Sequence, residues 1–450
     1  DWSSDVCSSD LNQSTHYDAV AYGGWAIDLH PADGVYAGGN GCHQWHSKGV
    51  YQIPYRCYVT PDLDNLFVGG RIISSSHVAN GTTRVMCTSA LGGEVIGRAA
   101  SICLSKGYKP IDLVDRDRIG LLQSLLVKNG NFIPGIAVAV EDNLADSAEI
   151  SVSSVLELDD LPADGTWFGL DYPIAQLIPV NGKVPVVRMN VKADNATRLV
   201  MELRSSSKSE NYTPDTIDAV LEFDLKKDEN EIVADFSYSY ATPRYAFICL
   251  MKNPEISVPM SGRLVTGLTA VYNYINPAVS NFGKQVPPEG IGVEEFEFWC
   301  PKRRPESKNI AMSFAPSLAS FNSENLRNSY YRPYIGTNAW VAAFDDARPE
   351  VCFKWNGRKQ IKTIILYFDT DTDQAMETVQ MGHFDACVPT CYREYIIRNS
   401  EGKELYHITG NHQTLNVLEL DQPVTTDAIY VNFVRPCGDV CPGLMGVYVC

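Results

Sequence analysis

Asp28 and His30 stand two residues apart in the segment YGGWAIDLHP, residues 22–31. In an extended chain that spacing puts both side chains on one side. A carboxylate beside an imidazole fixes its tautomer and raises its pKa, which suits general acid–base work; a satisfied loop hydrogen bond is the alternative. A second constellation lies at residues 84–100. There Arg84-Val85-Met86 opens a helix pattern with small residues at Ala90, Gly93, Gly97 and Ala100. Their three- and four-residue spacing gathers them on one helix face, which lets a backbone or a flat ligand come close. Unpaired N–H groups at the start of such a helix suit an anionic edge of that ligand, although a helix packed tightly on a sheet uses small residues in the same way. Cys42, His43 and His46 crowd a Gly-rich loop, but three ligands without a distant fourth make a poor zinc pattern.

These residues need elements to position them. Residues 63–70 read as a short buried strand through Leu66, Phe67 and Val68, ended by Gly69-Gly70, and a polar loop follows. Residues 85–104 and 115–128 read as helices, the second with Ile119, Leu122, Leu125 and Leu126 on one face. Up to about residue 146 this is α/β material. Beyond it the texture becomes alternating strands with turn punctuation, clearest at residues 186–191, 197–203, 219–223, 231–236 and 245–251. A Pro-containing linker over 276–292 leads to a third block with strands at 350–355, 362–368, 392–397, 414–418 and 428–434. The expected fold class is therefore multidomain α/β plus all-β. Its expected parts are an α/β region at 12–146, a β-sandwich at 147–275, the linker, and a second β-sandwich of jelly-roll type at 293–450.

The net charge of −17 opposes a nucleic-acid partner, since phosphate binding needs clustered Lys and Arg. No apolar run approaches the ~20 residues of a membrane span. Residues 1–11, DWSSDVCSSDL, resemble a translated sequencing adapter and are expected to be foreign to the protein. Setting aside Asp1, Asp5, Asp10 and Cys7 leaves the chain acidic.

With YQIPYRCYV (residues 51–59) and DNLFVGGR (residues 64–71), the N-terminal block resembles the C-terminal end of bacterial FAD-dependent oxidoreductases of the glutathione-reductase-like superfamily. The elements that match are Asp28 and His30, Ile53 to Arg56, Asn65 to Arg71, His77, Arg84 to Met86, and Gly93 to Gly97. The resemblance implies a flavoprotein with FAD as cofactor. It places Gly69, Gly70 and Arg71 near the FAD phosphates and ribityl chain, the Val85 and Met86 amides at the pyrimidine edge, and Gly93 on the flavin-facing helix. His77 and Arg84 become candidates for substrate binding and charge stabilisation beside His30 and Asp28, and Arg84 could equally be a structural ion pair. Hydride transfer between flavin and a small-molecule substrate is the implied activity; only the appended modules suggest that the substrate is sugar-related. The family's strand–G-x-G-x-x-G–helix does not occur in these 450 residues, where Gly39-Asn40-Gly41 lacks the third glycine and the helix. It is expected upstream, and the chain alone is expected not to retain FAD.

The last block is similar to discoidin-like, galactose-binding modules through NLRNSYYRPYIGTNAW (residues 325–340) and IKTIILYFD (residues 361–369). This implies a carbohydrate or surface partner. Tyr330, Tyr331 and Trp340 are stacking candidates, with Trp340 read as core, and Asp345-Asp346 are candidate calcium donors. Cys387-x3-Cys391 and Cys437-x3-Cys441 read as disulfides, buried thiols or a metal site. Together these features suggest an extracytoplasmic protein. The rival reading is a non-catalytic carbohydrate-binding protein with a degenerate flavin region.

Overall fold

A computed structural model describes residues 6–39, 41–137, 140, 142–208, 211, 213–276, 281–282, 284–302, 307–370, 391–436 and 440–450. They form two compact units. One is drawn mainly from Asp1–Glu141 and Tyr274–Phe298, the other mainly from Asp142–Asn273, Trp299–Gln374 and Val379–Cys450. The fold class is multidomain, α/β followed by all-β.

In the first unit, strand β1 (Ala19–Gly23) pairs antiparallel with β4 (Tyr51–Pro54), and β2 (Ile27–Leu29) with β3 (His43–Trp45). Helices α1 (His77–Thr83), α2 (Met86–Lys106) and α3 (Arg116–Lys128) follow. Val95, Ala99 and Ile102 of α2 and Ile119, Leu122 and Leu126 of α3 are buried, so the apolar periodicity of both helices is spent on the core. Gly107, in the left-handed conformation at φ +70°, ends α2, and the Asp115 side chain caps α3 by accepting from the Asp117 amide.

Two expectations fail here. Residues 63–70 are not a buried strand: Phe67 makes one isolated bridge to Val59, and Leu63 and Leu66 are 52% and 41% exposed. A three-residue apolar run reads as a strand, but it becomes one only where a neighbour offers a ladder, and one bridge is all that Val59 supplies. The polar loop expected before α2 contains α1, whose first turn is capped by Ser76 accepting from the Ala79 amide. Val6, Asp10 and Leu11, in the segment expected to be foreign, are buried, and Val6 bridges Ser75. Apolar side chains of any origin favour such burial.

The second unit opens with β5 (Glu149–Val152), which pairs with Glu350–Tyr367, so Ala145, Ala148 and β5 belong to the last sandwich. Between them sits the middle sandwich. One of its sheets has six strands centred on Arg244–Leu250 and Ile174–Val180; the other has seven, built around Val186–Ala193. In Val186–Ala193 the residues Val187, Met189, Val191 and Ala193 are buried while Arg188 and Asn190 face out, the alternation of a half-buried strand. Cys300–Pro301, Asn309–Ile310 and Met312–Leu318 pair into these sheets.

The expected boundaries at 147 and 293 therefore shift: residues 300–301 and 309–318 serve the middle sandwich, and the last one begins before its neighbour. The linker expected at 276–292 falls within the first unit. In the last sandwich the strands expected at 350–355 and 362–368 are one, Glu350–Tyr367, with register shifts between Lys354 and Lys359 and between Ile361 and Thr363. Those expected at 414–418 and 428–434 likewise merge into Leu415–Pro436. Trp340, Phe353, Trp355, Leu366 and Tyr395 fill its core.

Candidate active site

The IPYR segment is held by a buried ion pair. Asp18, immediately before β1, is wholly buried. It accepts from Arg56 Nε at 3.0 Å and from the Arg56 amide at 3.1 Å, and a third bond comes from the guanidinium's terminal nitrogen. Burial alone would lower the Arg56 pKa; the hydrogen bonds and charge of Asp18 outweigh it and raise it. Tyr55 and Tyr51 are buried beside this pair's segment. Tyr51 Oη lies 2.9 Å from Thr82 Oγ1, which donates to the Trp25 carbonyl at 2.6 Å. This bond ties β4, α1 and the turn before β2 together, and neither Tyr51 nor Thr82 carries a motif that would single it out in the sequence.

Asp28 lies in β2. Its Oδ2 is 3.2 Å from His30 Nε2, so the i, i+2 spacing does bring carboxylate and imidazole together. Arg84, at the C-terminal end of α1, donates to the Asp28 carbonyl oxygen at 2.9 Å and lies 3.8 Å from Asp28 Oδ2. The approach of α1 to β2 depends on Gly81, where a Cβ would stand 3.2 Å from the Asp28 carbonyl oxygen and 3.0 Å from a Leu29 methyl. Asp28 Oδ1 is buried and makes no hydrogen bond among the described residues. His77 is apart from this cluster: it is exposed at the start of α1, ~10 Å of helix from Arg84.

Of the residues expected at the cofactor, Gly69 packs against α2, where a Cβ would meet Ile96 Cδ1 at 2.6 Å, and Gly70 has φ +65°. Arg71 is exposed. Val85 occupies the N-cap of α2 and supplies no side-chain bond, while Met86 is 88% exposed. Ala90, Gly93 and Gly97 are exposed, and nothing lies within 4 Å of a Cβ built on either glycine. The small-residue face of α2 is thus open, whereas the neighbouring Gly92, about 100° round the helix, packs against Tyr58.

Among the described residues no group of three His, Cys, Asp or Glu side chains is placed to hold a metal ion, and no helix is long and apolar enough to cross a membrane. Cys387 and Cys437 lie outside the described residues. Trp340 is core, as read from the sequence; Tyr331 stacks on Tyr367 with centroids 3.6 Å apart. Asp346 spends its oxygens on Ser153, Ser154 and the Arg348 amide rather than presenting them to a cation.

Residues 3–126 match the profile of a family described as FAD dependent oxidoreductase. No curated protein matches the chain. Similar solved structures include the family 32 carbohydrate-binding module of Streptococcus pneumoniae EndoD, at 11% identity and a TM-score of 0.23, covering 29% of this chain and 86% of that one. Others are the family 32 module of Clostridium perfringens NanJ in complex with galactose (9%, TM-score 0.22, 29% and 85%) and the Streptococcus pneumoniae fucose-binding module SpX-3 (13%, TM-score 0.22, 29% and 85%).

Proposed function

We propose that the first unit is the flavin-facing part of an FAD-dependent oxidoreductase acting on a small organic substrate, with Asp28, His30 and Arg84 on the substrate side. One observation carries this reading. Arg84, bonded to Asp28, immediately precedes the N-cap of α2, so the polar cluster and the helix start adjoin.

The residues present fit the flavin end of FAD. Gly69, Gly70 and Arg71 would hold the ribityl chain and phosphates, the Val85 and Met86 amides the pyrimidine edge, and the open face around Gly93 the flat ring. The first turn of α2 lacks a side-chain cap, so its amides keep hydrogen-bonding capacity for an anionic edge. When bound, FAD supplies the two-electron chemistry. An ionised Asp28 only accepts, which fixes the proton of His30 on Nε2 and leaves Nδ1 to exchange a proton with substrate. Arg84 offers a cation to an anionic substrate group, whereas His77, exposed at the other end of α1, stands outside this cluster.

Titrating the purified chain with FAD while following flavin fluorescence tests the cofactor assignment. Exchangeable binding is expected rather than co-purification, because the diphosphate-cradling fingerprint is not among these 450 residues. Lack of any quenching at about 1 mM FAD would sink it. In flavin-loaded enzyme, Asp28→Asn and Arg84→Met should lower turnover by about 100-fold or more while leaving flavin affinity nearly unchanged. The same reading gives the discoidin-like sandwich a carbohydrate partner and the protein an extracytoplasmic setting, to be checked by glycan retention and by fractionation of the producing cells.

A further inference from the structure

The middle sandwich, which carries no recognisable ligand motif, holds an open cleft of about 380 Å³ on the outer face of its seven-stranded sheet. Asp160, Trp167, Arg188, Asn190, Glu231 and Ser313 line it. The strand register explains their meeting. Ser313 sits opposite both Asp160 and Arg188, a row across three strands about 10 Å long. Asn190, two residues from Arg188 on the same face, sits opposite Glu231. Trp167, opposite Pro259 and 38% exposed, forms an aromatic wall.

We propose that this cleft binds a neutral saccharide. The side chains of Arg188, Asn190, Glu231 and Ser313 make no hydrogen bond to one another or to other described residues, so one cleft presents an amide, a hydroxyl, a guanidinium and a carboxylate with capacity unspent. Sugar hydroxyls donate and accept, which matches such a mixed set, and an indole suits the apolar face of a sugar ring. Glu229 is paired with Lys192 and Asp160 lies in the field of Arg263, so Glu231 faces Arg188 with the charges of the cleft near balance, which favours a neutral ligand over uronic acids, sulfated glycans and phosphates. Glu229 pairs with Lys192 at 3.4 Å, and the Lys192 ammonium lies 4.0 Å from the Trp167 ring centroid, so the aromatic wall is braced in place. The site is separate from the flavin reading and from the discoidin-like sandwich.

The test applies the full chain to an array of neutral, uronic and sulfated oligosaccharides. Retention of a neutral class is expected, weakened about tenfold or more by Trp167→Ala and by Asn190→Ala, with Lys403→Ala, an exposed turn position outside every candidate site, within twofold of the parent. If Trp167→Ala fails to melt cooperatively, Glu231→Gln and Asn190→Ala, at outward strand positions, decide the matter. Preference for acidic glycans, no neutral class bound at about 1 mM, or binding indifferent to the cleft variants would overturn the proposal.

Discussion

The Trp340 indole nitrogen donates to the Ser154 carbonyl oxygen at 2.9 Å, which joins the core of the last sandwich to a segment 186 residues earlier. The Trp355 indole bonds the Leu144 carbonyl at 2.7 Å, and Ser153 and Ser154 both donate to Asp346 at 2.5 Å. A fragment of residues 293–450 lacks all of these partners and leaves two buried indole N–H groups unsatisfied, at about 1–3 kcal/mol each. It should show no cooperative melt by near-ultraviolet circular dichroism. A fragment of residues 142–450 should melt cooperatively, and a peptide of residues 142–157 should rescue the shorter one; a sharp transition in 293–450 alone would contradict the shared core.

The Asp18–Arg56 pair should matter to folding more than any surface pair. Removing Arg56 leaves a carboxylate with no exposed surface, so Arg56→Met should cost about 3–5 kcal/mol in urea unfolding of the chain. Asp18→Asn combined with Arg56→Met should recover a large share of that loss. If the single and double variants unfold alike, the stranded charge is not the cause.

Asp164 gives a pH dependence with a definite sign. Partial burial pushes its carboxyl up, but hydrogen bonds from Lys308, at 2.7 Å, and Thr166 outweigh this and bring it down to about 2. A depressed folded pKa contributes stability that is present above the unfolded value and lost as pH falls through the folded one. The stability gap between the parent and Asp164→Asn should therefore be steady above about pH 5 and close between about pH 4 and pH 2. With both side chains partly in solvent, about 1 kcal/mol is the expected size. Urea midpoints measured across that range check it; a gap that widens on acidification would reverse the assignment.

Legibility in the sequence followed locality. Val186–Ala193 could be read because each buried residue alternates with an exposed one, and α3 because its apolar stripe keeps helical spacing. Helix α1 was hidden by Gly81, Thr82 and Thr83, poor helix formers held by tertiary contacts. The Asp28–His30 contact is an i, i+2 relation, but Arg84 reaches Asp28 across 56 residues, and β5 finds its partner strand some 200 residues on. Strand partners are chosen by the global packing of faces, which no local period encodes. The cleft at Trp167 has no local sequence signature for the same reason: Asp160, Arg188 and Ser313 become neighbours only through register.

Two adjacent glycines of α2 separate packing from ligand seating. At Gly92 a Cβ would stand 2.7 Å from the ring of buried Tyr58, so Gly92→Ala should destabilise the first unit by about 1–3 kcal/mol through overpacking. At Gly93 nothing lies within 4 Å, and alanine there should add about 0.5–1 kcal/mol of stability through helix propensity alone. If the open face of α2 seats the flat ring, Gly93→Leu should leave the melting transition in place while weakening FAD about tenfold or more in the fluorescence titration, because the side chain occupies the ring's position. Riboflavin, which lacks the phosphates, should lose affinity in parallel. A Gly93→Leu chain that binds both flavins as the parent does would move the ring off this face, whatever the fate of the Asp28, His30 and Arg84 cluster.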